Sequence, residues 1–182
     1  MKWLIWVCLT WGAAAAELPQ LSLEELAAQS DAIVAGRVVR TWAAKDSENR
    51  FIWTHHEVQV AATLKGQARS TIDICEPGGT LNGMSFQIAG STEFAVGEEV
   101  AVFVYRTPIG YLRTTNYGQG KFVLTADQRV HVNRSINLAG AVLIGGARSQ
   151  ASGTRVQALD GLSWSEFRTR VTRIVAQQGA RR

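Results

Sequence analysis

Apolar residues recur at helical spacing in two places, one near each end of the chain. Both places begin with a capping box, a Ser and a Glu three residues later that satisfy each other's backbone amides, at Ser22–Glu25 and at Ser163–Glu166. The first box predicts a helix over residues 23–29. The second is followed by one apolar stripe, formed by Phe167, Val171, Ile174 and Val175. The pattern therefore predicts a short N-terminal helix and a longer C-terminal helix.

Between the two predicted helices, apolar and polar residues alternate, which is the spacing of β-strands. The alternation is longest over residues 52–64, where His55 and Glu57 share the face opposite to the apolar one. Gly36 interrupts the first run and predicts a bulge or bend, whereas residues 100–105 are apolar on both faces, as in a central strand. The other runs lie at residues 32–39, 71–75, 84–88, 111–115, 121–124 and 129–132. Short strands without intervening helices predict an antiparallel barrel or sandwich.

The first 16 residues have the pattern of a secretory signal peptide. Lys2 is followed by fourteen uncharged, mostly apolar residues that end in four alanines. This segment is too short to cross a membrane as a helix, which takes about 20 residues. We predict cleavage after Ala16, export to the periplasm or the exterior of a bacterial cell, and no stable membrane insertion after cleavage.

The composition fits one compact domain without disulfides. Of the 182 residues, 46% are hydrophobic and 19% are charged, which excludes a disordered or collagen-like chain. The 166 residues after Ala16 carry a net charge of +3, because Lys2 is the only charged residue before them. This charge is too mild to indicate a nucleic-acid partner. Cys75 is the only cysteine of the exported part, so we expect a monomer that is held together by its core.

Four short sequence motifs follow one another in the same order as in a known family, which the chain therefore resembles. They are residues 30–38 (SDAIVAGRV), 58–66 (VQVAATLKG), 71–74 (TIDI) and 94–103 (FAVGEEVAVF). This order resembles the netrin-like module, the OB-type barrel of tissue inhibitors of metalloproteinases and of complement C-terminal domains. It is also similar to a group of secreted bacterial proteins with no assigned activity. The resemblance implies an OB-like antiparallel β-barrel, mainly β, with a short N-terminal and a longer C-terminal helix.

The chain departs from the inhibitors of this family at their reactive end. In those inhibitors a mature N-terminal cysteine presents its amine and carbonyl to the zinc of the protease. The predicted mature start lies near Glu17-Leu18 and has no cysteine. No inhibitory residue is therefore carried over from the resemblance.

The predicted domain organisation has four parts. A signal peptide covers residues 1–16, and the OB-like barrel with its N-terminal helix covers residues 17–136. Residues 137–161 are rich in Gly, Ala and Ser and predict a loose surface loop. Residues 162–182 form the C-terminal helix and a basic tail, which we expect to pack on the same domain.

Histidine residues are the first candidates for metal chemistry. His55 and His56 are adjacent in a predicted strand, so their side chains point to opposite faces. His55 and Glu57 share a face, and Cys75 or His131 could join them from other strands. A zinc site needs three or four converging ligands, and convergence is not visible in a sequence. We therefore expect a surface role for these histidines and assign no metal ion.

Cys75 is the candidate thiol. A nucleophilic cysteine needs a base and a third group that orients the base, and no nucleophile signature surrounds residues 74–76. A buried free cysteine usually behaves as a small hydrophobic residue. We therefore predict a packing role for Cys75, with no catalytic residue and no cofactor.

Residues 77–83 form the most informative loop. Pro and Gly make up four of these seven residues, so the backbone must turn sharply and could offer amides to an anion. The loop lacks the Lys-Ser/Thr ending of a phosphate-binding P-loop. A strand-connecting turn is the simpler interpretation. The candidate binding surface that includes the rim of this loop consists of His55, Glu57, Glu76, Gly78, Gly79 and Asn82.

Aromatic residues near predicted strand ends include Trp42, Trp53 and Tyr111. OB-type barrels use such residues to stack on oligosaccharides or nucleic acids. Aromatic residues at strand ends also close barrels, and we favour that role for them.

The expected function is an exported, non-enzymatic binding module that recognises a protein or a cell-envelope component. This expectation rests on the signal peptide, the predicted strand order and the lack of a catalytic motif. A protease-associated accessory or inhibitor domain is the alternative, implied by the netrin-like resemblance. A thiol- or metal-dependent enzyme that uses Cys75, or His55 with Glu57, is the third possibility.

Overall fold

The computed structural model describes residues 20–48, 50–88, 90–133 and 155–180 of the chain. The predicted signal peptide at residues 1–16 and most of the predicted loop at residues 137–161 lie outside these ranges. Within them the protein is mainly β, with a short helix near its start and a longer one near its end. No helix in the described ranges is both long and apolar enough to cross a membrane.

The helices and strands follow each other in chain order as follows. The helices are α1 (Leu23–Gln29) and α2 (Trp164–Gly179). The strands are β1 (Ala32–Lys45), β2 (Ile52–Lys65), β3 (Thr71–Pro77), β4 (Gly79–Leu81), β5 (Met84–Phe86), β6 (Glu99–Arg106), β7 (Leu112–Thr114), β8 (Lys121–Leu124) and β9 (Val130–Val132). Short 3-10 helices cover Tyr117–Gly120 and Val156–Leu159.

Both helices begin at the capping boxes that the sequence predicts. Ser22 Oγ accepts a hydrogen bond from the Glu25 amide, and the Glu25 carboxylate accepts one from the Ser22 amide. Ser163 and Glu166 make the same reciprocal pair at the start of α2. Both helices therefore begin where the local sequence predicts.

Seven strands form one sheet in the order β1-β2-β3-β7-β6-β8-β9, and β6 also pairs with β1. The neighbouring strands are antiparallel, except that β3 and β7 meet in parallel at Ile74 and Leu112. The pairing thus runs from β1 through β2, β3, β7 and β6 and returns to β1. The short strands β4 and β5 form a separate hairpin.

Gly36 marks an irregularity in β1, as predicted. The β1–β2 register shifts between Ala35 and Gly36. A Cβ atom at Gly36 would overlap the backbone oxygen of Gln59 on β2. Glycine is therefore required here because the two backbones approach too closely for a side chain.

Two apolar clusters lie on opposite sides of β1 and β6. The first cluster contains Phe103, Phe122 and Phe167 and packs both helices against the sheet. The second lies among β1, β2, β3 and β6 and contains Val58 and Ile74. Alternate residues of β6 serve the two clusters, which confirms the prediction that this strand is apolar on both faces because it is central.

The end of the predicted loop at residues 137–161 has more structure than its composition indicates. Val156 and Leu159 lie on the short 3-10 helix and are both buried in the first cluster. Their spacing of three residues matches one turn of such a helix, so the two side chains point the same way. The expectation of a loose surface loop is therefore wrong for residues 155–161, where the chain is anchored to the core.

Candidate functional site

The register of β1, β2 and β3 brings together side chains that are far apart in the sequence. Trp42 on β1 lies opposite His55 on β2, and His55 lies opposite Cys75 on β3. Asp73 lies two residues before Cys75 on β3 and on the same face, because side chains alternate between the faces of a strand. This side of the sheet, together with Trp53 and Tyr111, is named the aromatic face below.

Three potential metal ligands converge on the aromatic face. His55 Nδ1 lies 2.9 Å from Asp73 Oδ2 and 3.2 Å from Cys75 Sγ, and the thiol is 3.6 Å from the same carboxylate oxygen. Among the described residues this is the one set of at least three His, Cys, Asp or Glu residues whose ligand atoms all lie within 4.8 Å of one another. We name His55, Asp73 and Cys75 the three-donor cluster.

The thiol of Cys75 is held in its protonated form. The residue is 2% exposed, and burial raises the pKa of the thiol to about 12, with further contributions from the negative charges of Asp73 and Glu76. The thiolate is the nucleophilic form of cysteine, so this environment suppresses nucleophilic attack. Asp73 and Cys75 also share one ring nitrogen of His55, whereas the acid of a catalytic triad orients the ring through the other nitrogen.

Aromatic rings and guanidinium groups surround the cluster. The indole of Trp42 stacks on the His55 ring with 5.0 Å between centroids and an interplanar angle of 10°. Tyr111 meets the rings of Trp53 and His55 edge-on, at 5.0 and 5.9 Å. Cations lie near both indoles, since Arg40 is 4.1 Å from the Trp42 ring centroid and Arg113 is 6.0 Å from that of Trp53. The aromatic face thus combines ring surfaces with two guanidinium groups, beside the carboxylates of Glu57 and Asp73.

A cleft of about 560 Å³ opens on the other face of β2 and β3. The buried side chains of His56 and Glu76 lie at its base, and the β4–β5 hairpin and residues 90–94 form its sides. A cleft of this size is within the range of small-molecule sites. Thr92 also lines it, and the Thr92 hydroxyl is buried without a hydrogen-bond partner in the part of the chain that the structure describes.

Burial shifts the pKa values of the two titratable groups at the base of the cleft in opposite directions. The pKa of His56 is lowered to about 4, first because the ring is buried and then because the positive charge of Lys121 is near. The pKa of Glu76 is raised by burial, although hydrogen bonds from Thr114 and the charge of Arg113 oppose the change. Burial therefore disfavours the charged form of each group.

The structure divides the predicted binding surface among several places. Glu76, Gly78 and Gly79 line the cleft, whereas His55 belongs to the three-donor cluster on the opposite face. Asn82 is exposed in the β4–β5 turn with a φ of 51°.

The two other residues that could have joined His55 have partners elsewhere. Glu57 lies two residues along β2 from His55 and forms an ion pair of 3.0 Å with Arg40. On β9, the Nδ1 atom of His131 lies 3.3 Å from Oδ1 of Asp160. Neither belongs to the three-donor cluster.

Sequence reasoning missed Asp73 and did not weigh it as a ligand. One signal was available, because Asp73 and Cys75 are two residues apart in a predicted strand and so share a face. The opposition of His55 to Cys75 depends on the pairing of β2 with β3, which the sequence does not state.

Comparison with protein-family models and with curated proteins identifies no relative of this chain. The chain matches no protein-family model, and no curated protein matches it. The netrin-like resemblance therefore stays a prediction.

Proposed function

We propose that this protein is an exported, non-enzymatic binding module with an OB-like barrel that recognises a cell-envelope component. The strand pairing supports the barrel, because it runs from β1 through β2, β3, β7 and β6 and returns to β1. OB folds are five-stranded barrels that bind ligands on strands 2 and 3 and on adjacent loops. Export is supported by the signal-peptide pattern of residues 1–16.

The aromatic face is the observation that carries this proposal. It lies on β1, β2 and β3, and Tyr111 reaches it from the segment just before β7. In an OB-like barrel this position corresponds to the usual ligand surface. Trp42, Trp53 and Tyr111 are all half-buried, so each keeps part of its ring surface accessible.

The chemistry of the aromatic face suits an acidic glycan. Aromatic rings offer flat apolar surfaces to sugar rings, and guanidinium groups bind carboxylates. Arg40 is paired with Glu57, but a guanidinium has five N–H donors and keeps several for a ligand. Peptidoglycan, with its sugar rings and free carboxylates, is the envelope component that we propose as the ligand.

The geometry does not favour the enzyme alternative. A thiol enzyme would need an ionised or readily ionised Cys75, whereas burial raises the pKa of this thiol to about 12. The three-donor cluster also lacks the relay geometry in which an acid and a nucleophile contact different ring nitrogens.

Co-sedimentation with isolated peptidoglycan sacculi tests the proposal. Residues 17–182 should be retained, and Trp42→Ala should weaken retention about tenfold, which corresponds to about 1.4 kcal/mol for one stacking contact. Phe86→Ala is the matched control, because Phe86 is 42% exposed and lies at the cleft rather than on the aromatic face. Absence of retention at any salt concentration would contradict the proposal. Equal losses of retention for Trp42→Ala and Phe86→Ala would show that the aromatic face is not the ligand surface.

A protease assay addresses the alternative function. The same protein in molar excess should leave metalloproteases and serine proteases fully active. Inhibition would favour the accessory or inhibitor domain instead.

A further inference from the structure

We propose that His55, Asp73 and Cys75 form a binding site for one divalent transition-metal ion, of which zinc fits the ligand set best. Each residue offers one ligand atom, namely an imidazole nitrogen, a carboxylate oxygen and a sulfur. Zinc accepts all three kinds of ligand. This site goes beyond the binding function proposed above and does not depend on any glycan.

The distances within the three-donor cluster approach those of a tetrahedral site. Zinc bonds of about 2.0–2.3 Å at tetrahedral angles place neighbouring ligand atoms about 3.3–3.6 Å apart. The three separations are 2.9, 3.2 and 3.6 Å. The two separations that involve His55 Nδ1 need to increase by only a few tenths of an ångström. Rotations of the Asp73 and His55 side chains can supply this increase.

One ring nitrogen lies close to two possible partners, although the Cys75 thiol can also donate to Asp73. His55 Nδ1 is within 3.2 Å of both Cys75 Sγ and Asp73 Oδ2. A single nitrogen has one lone pair or one proton, so it bonds well to only one of them. A metal ion placed among the three atoms satisfies all of them at once.

The strands hold the ligands in place. His55 and Cys75 are directly opposed on β2 and β3, and Asp73 lies two residues from Cys75 on the same face. Trp42 stacks on the His55 ring and fixes its plane. The ligands therefore stand on paired strands, which is a more rigid support than a loop.

One side of the cluster is accessible for a fourth ligand. The Asp73 side chain is 43% exposed, whereas that of His55 is 12% exposed and Cys75 is buried. A site with three protein ligands keeps a position for water or for a group of another molecule. On binding, the Cys75 sulfur coordinates as the thiolate, and its proton is released to the solvent.

Cobalt titration of the exported chain tests this site. Tag-free residues 17–182, reduced and freed of chelators, should bind one Co²⁺ per chain and develop the near-ultraviolet charge-transfer absorption of a cobalt–thiolate bond. Zinc should displace the cobalt and abolish this absorption. No peptidoglycan is present, so the result is independent of the proposed glycan binding.

Three variants assign the ligands. Cys75→Ser should abolish the charge-transfer absorption, and Asp73→Asn should weaken cobalt binding at least tenfold, since even partners outside the ligand shell change metal affinity by about 10–100-fold. Asp73→Asn keeps its shape at an exposed position, so it tests the site without threatening the fold. His131→Asn is the matched control, because His131 forms a second histidine–carboxylate pair among the described residues, and it should bind cobalt like the unchanged protein.

Two results would overturn the assignment. One is the lack of any cobalt–thiolate absorption in protein whose circular dichroism is that of the folded state. The other is an affinity within twofold of the unchanged protein for folded Asp73→Asn, or for folded Cys75→Ser.

Discussion

Loss of the His56 ring should make the protein less sensitive to acid. His56 is 3% exposed and lies in contact with the Phe94 ring at 4.7 Å between centroids, and its Nδ1 is 3.0 Å from Thr41 Oγ1. The positive charge of Lys121 lies nearby, and Glu76 and Glu93 line the same cleft. Protonation would place a second positive charge in this buried position.

The magnitude follows from the difference between the folded and unfolded pKa values. The pKa of His56 is about 4 in the folded protein, compared with 6.5 for an unperturbed histidine. Above pH 6.5 the ring is neutral in both states, so it makes no pH-dependent contribution there. As the pH falls below 6.5, the unfolded chain takes up a proton first, and the free energy of unfolding decreases by about 2 kcal/mol at pH 5 and about 3 kcal/mol at pH 4. Below pH 4 the loss levels off, because the folded protein is then protonated as well.

Urea unfolding at pH 7.5, 6, 5 and 4 measures this effect. Glu76 acts in the opposite direction, since its raised pKa makes the folded state more stable as it is protonated, so the curve of the unchanged protein combines both groups. His56→Asn removes only the ring and keeps an amide near the position of Nδ1. The difference in free energy of unfolding between the two proteins should shift by about 3 kcal/mol in favour of the variant between pH 7.5 and pH 4. A difference that stays constant over this range would refute the reasoning.

Two further predictions concern the core and the sheet. Phe167→Ala should lower the free energy of unfolding by about 3–5 kcal/mol, because this side chain is fully buried between the helix and the sheet. In the same urea assay the exposed Phe86→Ala should change stability by no more than about 0.5 kcal/mol, and equal losses would contradict the core assignment. Gly36→Ala should cost at least about 1 kcal/mol, since its Cβ would overlap the Gln59 oxygen. Gly179→Ala is the control, because a Cβ atom there meets no atom within 4 Å, and it should leave the free energy of unfolding unchanged. A Gly36→Ala protein as stable as this control would contradict the close approach of β1 and β2.

Local signals predicted the parts of the fold that depend on neighbouring residues. The capping boxes at Ser22 and Ser163 determine both helix starts, because their hydrogen bonds span only three residues. The alternation along β2 placed His55 and His56 on opposite faces, and the structure confirms this. Such features need no knowledge of which strand pairs with which.

The site depends on pairing between strands, and that part could not be predicted. Cys75 is buried, as a small hydrophobic residue would be, but its opposition to His55 arises from the β2–β3 register. The burial of His56 depends on Phe94, which lies in an irregular segment without a periodic pattern. The Gly, Ala and Ser composition of residues 137–161 likewise did not predict the burial of Val156 and Leu159, which depends on their packing against the core.

The contact between the two helices has a consequence for the order in which the chain folds. Gln178 on α2 donates a hydrogen bond to the backbone oxygen of Glu24 on α1, across 154 residues of sequence. Leu23 and Leu26 share their core cluster with Phe167 and residues beyond it. Contacts between such distant residues form slowly, because a long loop must close first. The side of α1 that faces α2 therefore stays uncovered until residues 164–179 have been synthesised, so the fold is completed only when almost the whole chain is available.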